Sequence, residues 1–506
     1  LLDRIRGMFA FAIYDSNTKR LFCARDFFGI KPLYYAQMNG TLIFGSEIKS
    51  FFPHPDFKKE LNETALENYL TFQYSVLDET FFKGVYKLPA GHYMIYENGE
   101  LKIEKYWESI FSPEEMTLTK TVEELEKTLR ESVDIHKIVS DVEVGSFLSS
   151  GVDSSYVAAS FHGDKTFTVG FDYDKYNEIS YAKELSEKIG IENFSKTITT
   201  EEYWEHLPKV QYHMDEPLAD ASAIALYFVS QTASKYVKVA LSGEGADEFF
   251  GGYNIYKEPL DLKILTALPM PIRKFLGKLA SLIPFDIKGK SFFIRGSKTI
   301  EERFIGNAKI FTKNEREKLL KNPSGKFDPM ELTKRYYDLC KDASGKPQDD
   351  ITKMQTLDIH MWMVGDILLK ADKMSMAHSL EIRVPFLDKE VFRTASKIPT
   401  NFRCNHTDTK YAFRQAARSI LPENVAGKKK LGFPVPIRIW LREDKYHDKV
   451  KSYFESSAAK QYFNQDKLLE LLAVHKSGKK DNSRKIWTVF TFLVWHEQFF
   501  PDAKAV

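Results

Sequence analysis

Residues 147–155 read Phe147-Leu148-Ser149-Ser150-Gly151-Val152-Asp153-Ser154-Ser155. An apolar run that begins at Val142 ends in this stretch, and apolar residues at helical spacing follow it as far as Phe161. The pattern predicts a buried strand, a loop of small residues and the first turn of a helix. Such a loop leaves N–H groups open at a helix N-terminus, where the helix dipole favours an anion such as phosphate. A simple strand-to-helix turn capped by serine explains the segment equally well when it is considered alone.

A second stretch repeats the same order of elements. Residues 237–241 have the composition of a strand, and the glycine-rich loop 242–248 follows and opens a helix. Loops at the carboxyl ends of parallel strands meet in one crevice. Because a carboxylate repels phosphate unless a cation lies between them, we expect Asp153 and Asp247 to share a Mg²⁺ ion. Glu244, in the same loop, is then left to act as a base or to orient the substrate.

Strand and helix patterns alternate through the middle of the chain. The sequence predicts helices at 121–139, 154–162, 178–189, 201–213 and 221–234, and strands at 142–149, 165–171, 195–199 and 237–241. This alternation predicts an α/β fold whose parallel sheet is covered by helices on both faces. From Tyr253 onward the patterns are helical.

The first part of the chain, to about residue 110, is rich in strand patterns instead. Strands are predicted at 8–14, 20–25, 32–36 and 41–44, and Asn98-Gly99 is predicted to form a hairpin turn between two further strands.

Composition narrows the class of protein. The chain has 506 residues, of which 43% are hydrophobic and 28% charged, and its formal net charge is +2. These values are typical of a globular protein with two or three domains and give no reason to expect nucleic acid as a partner. No apolar run approaches the ~20 residues of a membrane span and no signal peptide is evident, so we expect no membrane partner and a cytoplasmic location. The scattered cysteines Cys23, Cys340 and Cys404 are expected to be reduced packing residues.

Both acidic loops resemble those of known enzymes. The first resembles the pyrophosphate loop of N-type ATP pyrophosphatases, with Ser150 in place of its first glycine. The second loop, together with residues 369–388, resembles asparagine synthetases of the glutamine-hydrolysing B type. Matching segments at 215–220, 409–414 and 428–433 extend the resemblance over essentially the whole chain.

This resemblance implies how the chain is divided. Residues 1–112 resemble part of an αββα N-terminal-nucleophile amidotransferase domain of class II. Residues 113–506 resemble an asparagine synthetase domain, with an ATP pyrophosphatase core at about 120–255 and a helical remainder at about 256–506. Glutamine hydrolysis in this family uses an N-terminal cysteine, whereas position 1 is Leu and Cys23 lies in a predicted strand. We therefore expect that this chain does not hydrolyse glutamine, either because it is a fragment or because it is a natural ammonia-dependent form.

The activity that the resemblance implies is the ATP-dependent amidation of L-aspartate to L-asparagine through a β-aspartyl-adenylate, with release of AMP and pyrophosphate. ATP and Mg²⁺ are the implied cofactors, and ammonia comes from glutamine in full-length members, which commonly form homodimers. A related adenylating amidotransferase or lactam-forming synthetase that acts on another carboxylic acid is the alternative. A nucleotide-sensing or scaffold protein with a decayed site is a third reading, which intact acidic residues in both loops disfavour.

Site residues are assigned from this chemistry and this resemblance. Lys410 is expected to stabilise charge at the α-phosphate, and Glu244 to take a proton as ammonia attacks the acyl-adenylate. Asp372 and Arg383 suit recognition of the amino-acid substrate, although intramolecular ion pairs explain them equally well. ATP and pyrophosphate binding is assigned to Leu148, Ser149, Ser150, Gly151, Asp153, Ser154, Ser155, Val169, Ser242 and Gly243. Further candidates for phosphate contact are Lys428, Lys429 and Lys430.

Overall fold

A computed structural model of the chain describes residues 1–173, 177–283, 285, 287–342, 344–428, 432 and 434–501. The strands of this part are β1 (Ala10–Asp15), β2 (Arg20–Arg25), β3 (Tyr34–Met38), β4 (Thr41–Gly45), β5 (Val85–Lys87), β6 (His92–Glu97), β7 (Glu100–Lys105), β8 (Val144–Phe147), β9 (Lys165–Phe171), β10 (Glu192–Ile198), β11 (Val239–Leu241) and β12 (Glu381–Arg383).

Helices account for most of the remainder. The first group is α1 (Glu63–Phe72), α2 (Leu118–Ile138), α3 (Val152–Phe161), α4 (Ile179–Ile189), α5 (Thr200–Met214), α6 (Ser222–Ala233) and α7 (Ala246–Phe250). The second group is α8 (Glu258–Asp261), α9 (Lys263–Thr266), α10 (Met270–Ser281), α11 (Lys290–Gly296), α12 (Ile300–Arg303), α13 (Lys313–Leu319), α14 (Pro329–Tyr337), α15 (Asp350–His360) and α16 (Leu369–Met376). The third group is α17 (Lys389–Lys397), α18 (Thr400–Arg403), α19 (Tyr411–Ala417), α20 (Glu423–Ala426), α21 (Ile437–Trp440), α22 (Asp444–Phe454), α23 (Ser457–Tyr462), α24 (Gln465–Lys476) and α25 (Ser483–Phe499). A π-helix, Met363–Leu368, leads directly into α16.

The N-terminal segment contains two antiparallel sheets, with strand orders β1-β2-β6-β7 and β4-β3-β5. Asn98 and Gly99 both have positive φ, as a tight hairpin turn between β6 and β7 requires, which confirms that prediction. A small apolar cluster joins the two sheets through Cys23, Leu33, Leu88 and Met94. All three cysteines of the chain are free and buried, as predicted.

The middle of the chain forms a five-stranded sheet of order β10-β9-β8-β11-β12, in which all neighbours are parallel. Strands β8 and β11 are buried along their whole length, which explains why they contain only apolar or small residues. The α/β fold with a parallel sheet is therefore confirmed. Strand β12 was not predicted, because three residues inside a helical region are too few to show a period of two.

The N-terminal segment is anchored to the rest of the molecule by buried contacts. Helix α1 belongs to the same continuous apolar core as the C-terminal helices. The Tyr69 hydroxyl donates a hydrogen bond to the Thr488 carbonyl of α25 at 2.9 Å. Buried Asp215 accepts hydrogen bonds from Lys49 at 2.8 Å and from Lys373 at 2.6 Å. The region before α2 and the region after it therefore fold against each other.

None of the helices in the described ranges is both long enough and apolar enough to cross a membrane.

Candidate active site

The first acidic loop joins β8 to α3 at the carboxyl edge of the parallel sheet. Gly151 is the N-cap of α3 in an extended conformation, and no side chain caps the helix. The Ser149 N–H donates to Ser154 Oγ at 3.0 Å, and the two serine hydroxyl oxygens are 2.9 Å apart. The loop is thus stabilised by its own side chains, while the first amides of α3 point out of the helix end, as an anion site requires.

A neighbouring helix and strand stabilise the same loop from the side. Ser150 Oγ donates to Glu178 Oε1 at 2.7 Å, and the Ser150 N–H donates to Glu178 Oε2 at 3.3 Å. Thr168 Oγ1, next to Val169 on β9, donates to the Leu148 carbonyl at 2.7 Å. Ser150 is not among the residues with positive φ, so a serine replaces the family's glycine here without backbone strain.

The second acidic loop, between β11 and α7, touches the first. A Cβ built on Gly243 would lie 2.8 Å from the Ser154 nitrogen and 2.9 Å from the Asp153 carbonyl carbon. Only glycine allows this close approach of the two backbones. The Ser242 N–H donates to the Arg383 carbonyl at 2.8 Å, so the backbone at the end of β12 supports this loop.

Lys410 brings the carboxylates of the two loops together. Its Nζ donates to both oxygens of Asp153 at 2.6 Å and is 2.8 Å from Asp247 Oδ1. The lysine is only 1% exposed, and it has left-handed φ and ψ of 55° and 35° immediately before α19. A Cβ on Gly252 would meet Asp247 Oδ1 at 2.0 Å and Lys410 Cε at 2.1 Å, so a glycine is required beside this cluster.

The donor set at this point fits a Mg²⁺ ion. Two carboxylates from different loops already converge on a single cationic atom. Within the described residues no group of three or more His, Cys, Asp or Glu side chains has a metal-binding arrangement. A magnesium site of the nucleotide-dependent kind needs only one or two protein carboxylates, which act together with phosphate oxygens and water.

A second charged cluster lies on another side of the same cavity. Lys370 Nζ donates to Asp366 Oδ1 at 2.9 Å and also to Asp220 Oδ2. Burial opposes the charge of Lys370, but Asp220, Asp366 and Glu244 raise its pKa above the ordinary value. Burial raises the pKa of Asp366 to about 8, in spite of the lysine. For Asp220, the ion pair with Lys370 outweighs burial and lowers the pKa.

These groups surround one cavity of about 360 Å³. The sequence-predicted residues that line it are Leu148, Ser149, Ser150, Gly151, Asp153, Ser154, Val169, Ser242, Gly243, Glu244, Asp247, Lys410 and Lys428. A cavity of about 390 Å³ lies elsewhere, between the N-terminal segment and the end of α15. The larger cavity contains the ion pair of Glu108 with His360 but neither acidic loop, so we assign the chemistry to the smaller one.

Three predicted residues are not brought to the cavity. Asp372 accepts a hydrogen bond from Lys31 Nζ at 2.9 Å. Arg383 donates to Glu381 at 2.8 Å and to the His136 carbonyl at 2.6 Å.

The charges of Asp372 and Arg383 are satisfied by these hydrogen bonds and ion pairs, so the alternative of intramolecular ion pairs accounts for both residues. Ser155 is fully buried on the inner side of α3, where its hydroxyl does not line the cavity. Lys429 and Lys430 lie outside the described residues.

Sequence reasoning left Glu178, Asp220 and Lys370 without a role, although all three line the cavity. Asp220 and Lys370 lie within the segments that carry the family resemblance. The local sequence could also have predicted the ion pair of Lys370 with Asp366, because the two residues are four positions apart in an otherwise apolar helical stretch. Nothing in the local pattern marks Glu178, which reaches the loop only through the tertiary fold.

Two family descriptions match the chain, a glutamine amidotransferase domain over residues 1–107 and asparagine synthase over residues 124–497. The chain belongs to the asparagine synthase family. The predicted resemblance is therefore confirmed. The division at residue 112 and the assigned site residues remain predictions.

Individual relatives support this asparagine synthase assignment. The glutamine-hydrolyzing asparagine synthetase 1 of Bacillus subtilis is 46% identical over 98% of this chain and 78% of its own length. A putative glutamine-hydrolyzing asparagine synthetase of Mycobacterium tuberculosis is 40% identical over 99% of this chain and 78% of its own. Amidase chyE of Penicillium rubens is 25% identical over 98% of this chain and 80% of its own. The NMN synthetase structure from Francisella tularensis aligns with 28% of this chain and 60% of its own, at 16% identity and a TM-score of 0.20, too low to support an argument.

Proposed function

We propose that this chain catalyses the ATP-dependent amidation of L-aspartate to L-asparagine through a β-aspartyl-adenylate. The observation that carries the proposal is the convergence of Asp153, Asp247 and Lys410 beside the open amides of α3. A carboxylate is a poor acyl donor, and transfer of AMP to it creates a good leaving group. Such a transfer needs an anion seat for pyrophosphate and positive charge at the α-phosphate.

ATP would bind with its phosphates against the first loop. The α3 amides and the hydroxyls of Ser149 and Ser154 supply hydrogen-bond donors for pyrophosphate, while Ser150, whose hydroxyl donates to Glu178, completes the loop around it. Strand β9 lies beside this loop, and its backbone near Val169 is suited to the adenine ring. Glu178 accepts the Ser150 hydroxyl hydrogen bond at the edge of the cavity and so acts as a positioning residue for the loop.

Asp153 and Asp247 would hold Mg²⁺, which neutralises phosphate charge when it is bound. Their attachment to two different loops keeps both carboxylates at the phosphate end of the cavity. Lys410 contacts both of them in the structure, and a long, flexible side chain allows its ammonium to turn towards the α-phosphate once these carboxylates have another cation as partner.

Aspartate would be recognised by the second cluster rather than by Asp372 and Arg383. Lys370 presents a cation and Asp220 an anion on the cavity surface, and Glu244 lies close enough to raise the pKa of that lysine. An α-amino-acid carries one charge of each sign, so an adjacent cation and anion are complementary to it. Neutral or single-charge carboxylic acids lack one of the two partners.

The proposed reaction has two bond-forming steps. An oxygen of the β-carboxylate attacks the α-phosphorus, the bond to the β-phosphate oxygen breaks, and pyrophosphate leaves. Ammonia then attacks the acyl carbon, AMP leaves with the bonding electrons, and Glu244 takes the proton that the nitrogen loses. The products are asparagine, AMP and pyrophosphate.

Ammonium is the nitrogen source that we propose for this polypeptide. A glutaminase of this family acts through a thiolate, and a thiol buried in apolar surroundings is a poor nucleophile. Burial raises the pKa of the Cys23 thiol to about 12 and those of Cys340 and Cys404 to about 11.

Pyrophosphate release from Mg·ATP tests the proposal directly. We expect release that depends on aspartate and proceeds with ammonium but not with glutamine, and we expect Asp153→Ala and Asp247→Ala to abolish it. Equal release with and without aspartate, in a folded protein that binds ATP, would contradict the proposal. Release supported by glutamine alone would contradict only the assignment of the nitrogen source.

A second candidate keeps the adenylation chemistry and changes the acid. Two distant relatives, at 25% and 26% identity, are named amidases rather than asparagine synthetases, which supports a different acid as the second candidate. The same assay with a panel of amino-dicarboxylic acids distinguishes the two, because the candidate acid must stimulate pyrophosphate release more strongly than aspartate does.

A further inference from the structure

Residues 263–298, which contain helices α9, α10 and α11 and are called here the basic hairpin, expose an unusual amount of apolar surface. Along α10 and its C-cap residue Leu282, the apolar residues Ile272, Phe275, Leu279 and Leu282 recur at i, i+3, i+7 and i+10, which places them on one helix face. Their exposed fractions are 48%, 60%, 48% and 70%. In a globular protein, an apolar face of this kind normally points into the core.

The opposite face of α10 is the buried one. Arg273, Gly277 and Ala280 are buried there. A Cβ on Gly277 would lie 2.3 Å from Ser297 Oγ, so α10 packs closely on the end of α11 through its smallest residues. Arg273 fixes this packing by donating to the Gly296 carbonyl at 2.6 Å and to the Lys298 carbonyl at 2.8 Å. The large side chains are therefore turned away from the protein by the packing itself.

Apolar exposure continues beyond α10. Ile264 is 86% exposed, and Leu268, before α10, is also exposed. Further exposed apolar side chains of the basic hairpin are Phe285, Ile287 and Phe293. Large exposed apolar side chains concentrated in one short segment indicate a surface that binds a partner or a membrane.

Positive charge accompanies the apolar face. The basic hairpin contains eight lysines and arginines but one acidic residue, whereas the whole chain has a net charge of +2. Lys274 and Lys278 lie on α10 beside the apolar stripe. Among the described residues, none of the following exposed lysines forms an ion pair within the protein: Lys263, Lys274, Lys278, Lys288 and Lys298.

We propose that the basic hairpin docks on an anionic lipid bilayer. A helix with a bulky apolar face and flanking lysines lies in the plane of a membrane interface, with its apolar side chains at the acyl boundary. The lysine stems follow the apolar surface and place their ammonium groups at the phosphates of the lipid. Docking of this kind needs no membrane-spanning helix, so the absence of a long apolar run in the sequence does not bear on it.

Charge favours a lipid surface over a second copy of the chain. A two-fold contact would place the same patch on both sides of the interface. The lysines of the basic hairpin would then face one another, with a single acidic residue per copy to offset them. An anionic bilayer supplies an apolar layer that can cover the exposed apolar side chains. It also supplies negative charges that can pair with the lysines.

Sedimentation with vesicles tests the proposal. We expect the protein to bind vesicles of phosphatidylcholine with phosphatidylglycerol, to bind phosphatidylcholine alone at least tenfold more weakly, and to lose binding as salt is raised. F275S/L279S and K274E/K278E should each weaken binding at least tenfold. Ile138→Ser, at a residue that is 76% exposed on α2, and K58E/K127E are the matched controls and should bind like the unmodified protein.

A fluorescent probe locates the contact. Because the three native cysteines are buried, Phe275→Cys carries the only exposed thiol among the described residues and takes a polarity-sensitive label such as NBD. Its emission should increase and shift to the blue on anionic vesicles, while that of Ile138→Cys should not change.

Failure of the unmodified protein to bind vesicles, or equal losses in the control variants, would overturn the proposal. Concentration-dependent self-association that F275S/L279S weakens, without vesicle binding, would overturn it in favour of a second copy. The basic hairpin lines no part of the 360 Å³ cavity. Pyrophosphate release should therefore be unchanged in all variants, which also shows that they fold.

Discussion

At the scale of single residues, the candidate site depends on backbone conformations and close approaches that few side chains permit. Lys410 lies in the left-handed region and is buried between two carboxylates, and Gly243 lies against the first turn of α3. A non-glycine residue in the left-handed region costs free energy, which the two ion pairs of Lys410 offset. In this structure the two carboxylates therefore hold the ammonium of Lys410 at the point where the two loops meet.

Lys410→Met should lower the rate of aspartate-dependent pyrophosphate release roughly 10²–10³-fold while ATP binding persists, because the variant keeps the phosphate loop but removes the cation. Steady-state turnover assays and equilibrium ATP binding measure the two effects separately. Lys445→Met, at an exposed pair with Glu201, is the matched control and should leave both unchanged. Near-normal turnover of Lys410→Met would remove this lysine from the mechanism.

Gly243→Ala should destabilise the protein by about 1–3 kcal/mol, because its new Cβ overlaps the backbone of residues 153 and 154. Urea denaturation measures the change. Gly151→Ala provides the comparison, since its Cβ would meet only Ser149 Oγ, at an ordinary 3.4 Å. Equal destabilisation by both variants would show that the two loops do not approach each other as described.

His378 should make stability depend on pH between about 6.5 and 4. Burial lowers its pKa to about 4, so the unfolded chain binds a proton in this range that the folded protein does not, and stability falls as pH falls. The free energy of unfolding should therefore fall less between pH 7 and pH 5 in His378→Asn than in the unmodified protein. We expect the difference to be about 1 kcal/mol, because the ring is only partly buried. Urea denaturation at both pH values measures it, and exposed His406→Asn is the control. An unchanged pH slope in His378→Asn would contradict the assignment.

At the scale of elements, two strand–loop–helix units produce the site, and other elements complete it from a distance. Strand β12 supports the second loop through the Arg383 carbonyl, so this residue contributes through its backbone although its side chain points elsewhere. Helix α16 supplies Lys370 on its cavity side, whereas Asp372 and Lys373 contact Lys31 and the Ser46 carbonyl of the N-terminal segment. One helix thus links the cavity to the interface between the two parts of the chain.

Asp215→Ala should destabilise the protein by about 3–5 kcal/mol, because it removes the buried carboxylate that pairs with Lys373 at 2.6 Å and leaves only the more exposed Glu47 at 3.5 Å. Adding Lys373→Met should recover part of the loss, since the unpaired charge is then gone. Urea denaturation of the single and double variants measures both effects. Glu470→Ala, at an exposed ion pair with Lys467, is the control and should not change the free energy of unfolding measurably. A double variant less stable than Asp215→Ala would contradict this account.

At the scale of the whole molecule, the larger apolar core of the described residues includes both helix α1 of the N-terminal segment and the C-terminal helices. Residues 112–117, which are exposed apart from the half-buried Met116, connect the two parts. Protease cleavage there should give two fragments that elute together in size-exclusion chromatography, because burial and not the covalent connection keeps them associated. Separation of the fragments without denaturant would show that the N-terminal segment is an independent domain.

The sequence by itself determined most elements of the parallel-sheet region and the residue types that the two loops present. Strand β9 has the predicted bounds, and α3, α4 and α6 differ from theirs by one or two residues, because periodicity is a local property that survives in any tertiary context. The acidic glycine-rich loops could also be recognised from the sequence, because their residue types restrict the kinds of ligand that they can bind.

Only the tertiary structure decided which distant groups meet. Lys410 joins Asp153 across 257 positions, Asp372 and Arg383 turn to structural partners, and Lys370 enters the cavity instead. The tertiary structure also decided that the amphipathic helix α10 packs through its small residues and leaves its apolar face exposed. A helical pattern shows that a face is apolar, but what covers that face depends on contacts between segments far apart in the chain, which local periodicity does not encode.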